Sequence, residues 1–289
     1  MNSTRTLLAG AVDYAGLFPP AKLDMATAGR NYASYRSGEQ AWALGRFVVP
    51  LSRLPEFEQA LVHTIDGAGW RISALAGASL NQDVATILAF NKRRLATIDT
   101  LEVKSSTVDD IRVVAGTVPS LLTTYVEIPL HTDPSPLVTA IGKSGLRAKV
   151  RTGGTTPDAF PSSASLGKFI HACAAEGVTF KATAGLHHPL RAAYRFTYEP
   201  DSPTGMMYGF LNVLVAAGVA RSGGSTTEII AALEEQSPNA LYANDGEIAW
   251  QQYRFNLAST RSIRSGLAIS FGSCSFEEPI EDLKSLGLL

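Results

Sequence analysis

The sequence is poor in cysteine and lacks long apolar runs, and each absence excludes a class of protein. Its 289 residues include two cysteines, Cys173 and Cys274, which do not form a CxxC pair. This usage excludes a disulfide framework and is typical of a reducing cytoplasm. The first apolar run, TLLAGAV at 6–12, is shorter than the apolar region of a signal peptide. We therefore expect a cytoplasmic protein.

Further absences bear on its partners. Lys and Arg number 25 against 26 Asp and Glu, which gives a formal net charge of −1, and no basic tract is present. Nucleic acid is therefore not an expected partner. No run approaches the roughly 18 apolar residues of a transmembrane helix, so we expect no membrane partner. No GxGxxG motif follows a predicted strand, and we expect no cofactor.

Short runs rich in β-forming residues recur along the chain and alternate with helical patterns. Strict alternation of strands and helices implies parallel pairing with right-handed crossovers. Eight such units predict an α/β fold, an eight-stranded β/α (TIM) barrel, with a doubly wound open sheet as the alternative. The eight runs are 6–13, 45–50, 71–77, 98–104, 122–129, 146–154, 178–185 and 267–273.

One connection is much longer than the others. The seventh run begins at residue 178 and the eighth at residue 267. Helical patterns fill much of this stretch, including a Ser225–Glu228 capping box. We interpret 190–262 as a helical insertion that covers the mouth of the barrel as a lid. The whole chain, 1–289, is then a single barrel domain.

Charged residues occur near the C-terminal ends of four consecutive runs. Alternate residues of a strand face opposite sides, and barrel strands are covered by helices on the outside. These side chains are therefore predicted to point into the barrel, at the end where barrel enzymes place their active sites. The predicted inward residues are Glu102 and Lys104, Tyr125 and Glu127, Lys149 and Arg151, and Lys181 and Thr183.

These charges allow a structural and a catalytic interpretation. A buried ion-pair network could hold the top of the barrel together without binding a ligand. The apparent excess of cations instead favours an anionic ligand or a lysine kept neutral by its neighbours. A lysine attacks a carbonyl group only when it is unprotonated, and burial beside other cations lowers its pKa. Lys181 or Lys149 is therefore a candidate nucleophile. Glu102 and Glu127 could move protons, and Arg151 could hold a carboxylate or phosphate.

Three motifs in the last runs carry a lysine or small residues: KVRTGG at 149–154, KATAG at 181–185 and SFGSCS at 270–275. Their order resembles the lysine-bearing strands and phosphate loop of class I aldolases of the deoxyribose-phosphate aldolase type. The resemblance implies that Lys149 forms the Schiff base and that Lys181 is its neighbour. It also implies that Gly272 and Ser273 lie near a phosphate. The chain departs from that family at Arg151 and in its longer seventh loop.

Other polar residues are predicted to lie near the mouth. Asp13 ends the first run, and His187 and His188 follow the seventh. With Glu102 or Glu127 the histidines could bind a divalent metal, although no HxH or HExxH spacing supports this. Alternatively, one histidine contacts the substrate or acts as a general acid.

The sequence thus predicts a barrel enzyme, a lyase that acts on a small anionic carbonyl compound through a lysine Schiff base. The rivals are a metal-dependent lyase or hydrolase and a barrel that binds an acidic metabolite without catalysis. A homodimer is expected only because two-fold dimers are common. Cys274 has no evident activating partner in the sequence, so we interpret it as a packing residue. The residues predicted to bind substrate are Asp13, Lys104, Arg151, Thr183, His187, His188 and Ser273.

Overall fold

A computed structural model describes residues 2–63 and 67–289, and it contains a closed barrel of eight parallel strands. Each strand pairs with its neighbour in the chain, and the first strand closes the barrel on the last, with Asp13 opposite Gly272. The predicted β/α barrel is confirmed. The barrel strands are β1 (Val12–Tyr14), β2 (Leu44–Pro50), β3 (Arg71–Leu75), β4 (Thr97–Lys104), β5 (Thr123–Glu127), β6 (Arg147–Arg151), β7 (Phe180–Thr183) and β8 (Ala268–Ser273).

Helices cover the outside of the barrel between successive strands. The helix after β6 begins at a cap, because the side chain of Ser162 accepts a hydrogen bond from the backbone N–H of Ser165. In the part of the chain that the structure describes, no helix has the length and apolar character needed to cross a bilayer. The helices are α1 (Ser3–Leu8), α2 (Met25–Ser37), α3 (Leu54–His63), α4 (Leu80–Lys92), α5 (Val108–Thr117), α6 (Ser135–Lys143), α7 (Ser163–Ala175), α8 (Phe210–Arg221), α9 (Thr226–Glu234), α10 (Leu257–Gly266) and α11 (Glu277–Ser285).

The start of the chain differs from the strand predicted over 6–13. The first three residues of that run belong to α1, and β1 is only three residues long. The side chain of Asn2 accepts a backbone hydrogen bond from the first turn of α1, which stabilises the helix start. Gly10 then adopts a left-handed φ of 59°, which separates the helix from β1. Local capping therefore decides the structure of a run whose apolar pattern fits a strand or a helix equally well.

The segment between β7 and β8 contains helices, as predicted over 190–262, and it also contains strands. An antiparallel hairpin, which we call the mouth hairpin, comprises the strands Ala192–Arg195 and Thr204–Met207 and the loop 196–203 that joins them. α8 is buried along nearly its whole length and packs against α7, α9 and α10, so it belongs to the outer helical layer. These extra strands are too short for their hydrophobic pattern to distinguish them from loops. The three further strands form one antiparallel sheet and are Leu241–Ala243, Glu247–Trp250 and Tyr253–Asn256.

An aromatic cluster packs between the first strands and their helices. Phe47 on β2 is fully buried at its centre. Its ring centroid lies 5.3 Å from that of Tyr32, 5.6 Å from that of Phe57 and 5.9 Å from that of Trp70. Aromatic side chains bury large apolar areas and gain further stabilisation from edge and offset contacts. This cluster therefore fixes α2 and α3 against the β1–β3 side of the barrel.

Phe47→Ala should lower the free energy of unfolding by about 3–5 kcal/mol, because it leaves a cavity among rings that cannot collapse freely. Urea denaturation followed by circular dichroism measures the change. Val113→Ala is the control, since Val113 is 62 % exposed on α5 and should change the free energy by less than about 0.5 kcal/mol. Equal effects of the two substitutions would contradict the assigned role of the cluster.

Candidate active site

A cavity of about 650 Å³ opens at the C-terminal ends of the barrel strands. Glu102, Lys149 and Lys181 line its inner end, and all three are buried. The loops after β1, β7 and β8 form its walls together with the mouth hairpin. This is the end of a β/α barrel at which enzymes place their active sites. The wall residues include Phe18, Pro19, Pro20, Thr183, His187, His188, Tyr194, Phe196, Tyr198, Cys274 and Glu278.

Five buried charges form an alternating chain across the barrel interior. Lys181 Nζ lies 2.6 Å from Asp13 Oδ2 and 2.6 Å from Glu102 Oε1. Lys149 Nζ lies 2.6 Å from the other oxygen of that carboxylate, Glu102 Oε2, and 2.8 Å from Glu127 Oε2. The two lysines therefore share the carboxylate of Glu102, and each has a second carboxylate of its own.

Strand register brings these side chains together. Lys149 and Lys181 are directly paired residues of β6 and β7, and Glu127 is the partner of Lys149 on β5. In a parallel barrel such partners point to the same side. Glu102 reaches both lysines from β4, and Ser73 on β3 donates a hydrogen bond to its Oε1 at 2.6 Å. Period-two alternation predicted this inward set correctly.

Three hydrogen-bond donors hold the carboxylate of Asp13 below the cavity. Lys181 and Ser270 both donate to Oδ2, and the backbone N–H of Arg46 donates to Oδ1 at 2.8 Å. Gly45 leaves the room for this carboxylate, since a Cβ at that position would lie 2.4 Å from Oδ1. The predicted position of Asp13 at the mouth is therefore wrong, because β1 is short and its middle residue points into the barrel.

The ion pairs hold the inner groups in their charged forms. Burial by itself lowers the pKa of Lys181, but Asp13 and Glu102 outweigh burial and raise the pKa well above that of a free lysine. Burial likewise raises the pKa of Glu102, but the two lysines outweigh it and lower the pKa far below that of a free glutamate. Lys181 is therefore an ammonium and Glu102 a carboxylate throughout the neutral range.

Two sequence predictions about charge are corrected by this arrangement. The buried set holds three carboxylates, of Asp13, Glu102 and Glu127, against two ammonium groups. The interior therefore has no excess of cations. The prediction that nearby cations lower the pKa of Lys181 is also wrong, because both direct partners of Lys181 are carboxylates.

Lys104 and Arg151 lie at the rim of the cavity. Each is the last residue of its strand, so its side chain leaves the barrel and is exposed rather than inward. Lys104 Nζ lies 3.8 Å from Glu127 Oε1. Both cations line the main cavity and a second cavity of about 650 Å³ beside the ends of β4–β6. The exposed cations of the site are thus at its entrance.

Two further predicted residues occupy different environments. Thr183 ends β7 and lines the cavity. Ser273 is buried at the end of β8, and its hydroxyl accepts a hydrogen bond from the backbone N–H of Ser275. Glu278, at the start of α11, lines the cavity beside the loop that the aldolase resemblance assigns to phosphate. A carboxylate in that place opposes anion binding.

His187 contacts Cys274 and Glu278 on the wall. Its Nδ1 lies 3.0 Å from Glu278 Oε2, and its Nε2 lies 3.8 Å from Cys274 Sγ. The hydroxyl of Tyr198 lies 3.5 Å from the same sulfur and donates to Glu278 Oε2 at 3.0 Å. Burial lowers the pKa of His187, but the contacts with Cys274 and Glu278 outweigh it and raise the pKa to about 9. We call these four residues the thiol cluster.

His188 has a different acidic partner. Its Nδ1 lies 2.6 Å from Asp282 Oδ2, and its ring stacks on Tyr194 with the centroids 3.6 Å apart. The predicted metal site requires a histidine beside Glu102 or Glu127. Instead, the carboxylate partner of His187 is Glu278 and that of His188 is Asp282. Across residues 2–63 and 67–289, no group of three His, Cys, Asp or Glu side chains is arranged to hold a metal ion.

Sequence reasoning missed three members of the thiol cluster. Tyr198 lies beyond the mouth hairpin's first strand and gives no local signal. Cys274 was assigned to packing because its partner, His187, is 87 residues away. One signal was available: Glu278 and Asp282 are four residues apart on α11, so they share a helix face that can meet two adjacent histidines.

The comparisons with known proteins give no family assignment. No family model matches the chain, and a search of curated proteins found no match. Function must therefore be argued from the geometry of the cavity and its charges.

Glu102→Gln should flatten the acid limb of the stability profile. The folded-state pKa of Glu102 lies below the ordinary value of 4.5, so its stabilisation is complete above about pH 4.5 and is lost as the pH falls further, because the unfolded chain binds the proton first. One such group adds at most about 1.4 kcal/mol per pH unit to the slope. Urea unfolding at steps from pH 3 to pH 7 measures it.

In the same variant, the free energy of unfolding at pH 7 should fall by about 3–5 kcal/mol, because two buried ammonium groups lose their shared carboxylate partner. Glu39→Gln, at an exposed carboxylate, is the matched control. It should leave unchanged both the free energy of unfolding at pH 7 and its slope against pH. If Glu102→Gln follows the wild-type profile, the shared carboxylate does not organise the site.

Proposed function

We propose that the protein is a lyase of the Schiff-base aldolase type that acts on a small anionic carbonyl compound, with Lys149 as the nucleophile. One observation carries the proposal: two buried lysines on adjacent strands share the Glu102 carboxylate at the inner end of an open cavity. Buried lysines are rare unless they are paired or used. Pairing alone does not require that they line a cavity of metabolite size.

The second partners of the two lysines favour Lys149 over Lys181 as the nucleophile. Lys181 donates hydrogen bonds to Asp13 and Glu102, is 1 % exposed and has a raised pKa, so it keeps its proton. Lys149 also borders a smaller cavity of about 260 Å³. Among the described residues, no donor is directed well enough to form a hydrogen bond with the buried oxygen Glu127 Oε2. Its 2.8 Å contact with Lys149 Nζ is therefore an ion pair without a hydrogen bond.

Proton transfer within the cluster could free the amine. Lys149 gives a proton to Glu127, which leaves the total charge of the cluster unchanged. The neutral amine attacks the carbonyl carbon, and the carbonyl oxygen leaves as water after taking up protons from the acids around it. The resulting iminium stays beside Glu102, while Lys181 remains a fixed cation.

Carbon–carbon cleavage then follows from the iminium. A base removes the proton of the substrate's β-hydroxyl group, an aldehyde leaves, and the electron pair of the broken bond moves into the iminium to give an enamine. The enamine takes a proton on carbon, and water releases the second product. The reverse sequence forms the bond. Glu102 and Glu127 are the carboxylates closest to the Lys149 nitrogen, so we assign the proton transfers to them.

The rim cations define the substrate class. Arg151 and Lys104 are exposed at the entrance, where a carboxylate or phosphate can pair with them without displacing a buried ion pair. The mouth hairpin contributes Tyr194 and Phe196 to the opposite wall. Walls of this kind exclude water from an iminium, which supports a role of the hairpin as a lid.

Reduction with cyanoborohydride in the presence of pyruvate or glyceraldehyde 3-phosphate should trap an adduct on Lys149. Intact and peptide mass spectrometry measures its stoichiometry and position. Lys149→Met should abolish the adduct, and Lys143→Met, at an exposed lysine of α6, should retain it. An adduct on Lys181 would reverse the two roles. Labelling spread over exposed lysines and unchanged by Lys149→Met would contradict the proposed function, and saturable pyruvate binding without trapping would favour a non-catalytic binder.

Arg151→Gln should weaken selection for an anionic carbonyl compound. We expect the trapping rate with pyruvate to fall about tenfold relative to that with neutral propionaldehyde, because a direct charge-assisted pair is worth roughly 1.5–3 kcal/mol. Competition between the two probes at low salt measures the ratio. Arg112→Gln is the control, since Arg112 is exposed on α5 and pairs with Asp109. An unchanged ratio would remove Arg151 from the substrate site.

A further inference from the structure

We propose that Cys274 is a second covalent site in the same cavity, where the thiol, assisted by His187 and Glu278, takes up an aldehyde as a reversible hemithioacetal. The site goes beyond the proposed lyase activity and does not depend on it. It involves the β7–β8 side of the cavity, whereas Lys149 lies on β6.

The thiol cluster has the parts of an activated nucleophile. Cys274 Sγ lies 3.8 Å from His187 Nε2 and 3.9 Å from Nδ1, so the sulfur is in contact with the ring. Glu278 holds Nδ1 at 3.0 Å and orients the imidazole. A nucleophile, a base and a group that orients the base are the elements that thiol chemistry requires. All three side chains line the cavity, so a ligand there can reach the sulfur.

An imidazole with a raised pKa lies beside the sulfur. Glu278 and Cys274 together raise the pKa of His187 to about 9 against the effect of burial. Burial, Cys274 and Glu278 raise the pKa of Tyr198, so its hydroxyl stays protonated and can donate. His188 and Asp282, the next polar side chains on this side of the cavity, contact each other.

The other cysteine supplies a natural contrast. Cys173 lies in α7 and is completely buried, and burial raises the pKa of its thiol. Buried cysteines in apolar surroundings are inert, whereas those beside an imidazolium are reactive. The two thiols of the chain should therefore differ strongly in reactivity, with Cys173 as an internal reference in every measurement.

The covalent step balances without an oxidant or reductant. The sulfur attacks the aldehyde carbon, a C–S bond forms, and the π-electron pair of the carbonyl moves to oxygen. That oxygen takes the proton that His187 received from the thiol, and Tyr198 can donate a hydrogen bond to it. The reverse step releases the aldehyde. The rim cations Lys104 and Arg151 favour an aldehyde that carries an anionic group.

Alkylation with iodoacetamide tests the activated thiol without any substrate. At pH 6.5 we expect Cys274 to react at least about tenfold faster in the wild type than in His187→Gln, because only the thiolate reacts and a free thiol is about one per cent ionised at that pH. Peptide mass spectrometry gives the rate at each cysteine. Cys173 should stay unreactive in both proteins, which shows that the variant is folded.

Two results would overturn the proposal. One is an equal rate at Cys274 in the wild type and in His187→Gln, and the other is a wild-type Cys274 as unreactive as Cys173. If His187→Gln makes Cys173 reactive, the variant has lost its fold, and Glu278→Gln replaces it with the same criterion and an expected reduction of several-fold.

The ligand class is tested with ¹³C-labelled glyoxylate, a small anionic aldehyde. It should protect Cys274 from iodoacetamide and give a hemithioacetal carbon resonance that disappears in Cys274→Ser. Both effects should persist in Lys149→Met, where no imine can form at the proposed Schiff-base residue. Protection that is lost in Lys149→Met would assign glyoxylate to the lysine and overturn the aldehyde site at Cys274. Absence of protection in both proteins would overturn it as well.

Discussion

The site depends on the single carboxylate of Glu102. A lysine ammonium group cannot be buried in a barrel without partners, since its desolvation costs several kcal/mol even after relaxation. Glu102 supplies one oxygen to Lys181 and the other to Lys149, and Ser73 fixes its position from β3. Register between β4, β6 and β7 is therefore tied to this contact, because a shift by one residue would turn the charges toward the helices.

The shared carboxylate also makes the two lysines different. Lys181 has its second partner, Asp13, in a fully enclosed position, where Ser270 and the backbone N–H of Arg46 also donate hydrogen bonds to Asp13. Lys149 has its second partner, Glu127, next to the rim and to Lys104. The inner lysine is thus an enclosed ammonium group, whereas the outer one lies next to the exposed rim.

Alternation within single strands predicted much of the fold and of the lysine cluster. Glu102, Lys149 and Lys181 are inward because their strands are regular over several residues. The same rule fails for Lys104 and Arg151, which lie where their strands end. The position of Asp13 is wrong for another reason: it is predicted from the end of a run, whereas β1 is only three residues long. Contacts that arise only when the barrel closes are not encoded in any local pattern. Cys274 meets His187 because β7 and β8 are neighbours, although 87 residues separate them in the chain.

The mouth hairpin couples the two sides of the cavity. Phe196 packs on Phe160, in the segment between β6 and α7, with ring centroids 5.3 Å apart. Tyr198, although half exposed, contacts Cys274 and Glu278 beyond β8. The apolar contact holds the hairpin beside the strand of Lys149, and the polar contacts hold it over the thiol cluster. Outward movement of the hairpin would remove the Tyr198 donor from Glu278 and so strengthen the hold of that carboxylate on His187. Hairpin position and the pKa of His187 are therefore linked through Tyr198 and Glu278, whereas the buried lysine pairs, which involve no hairpin residue, are not affected directly.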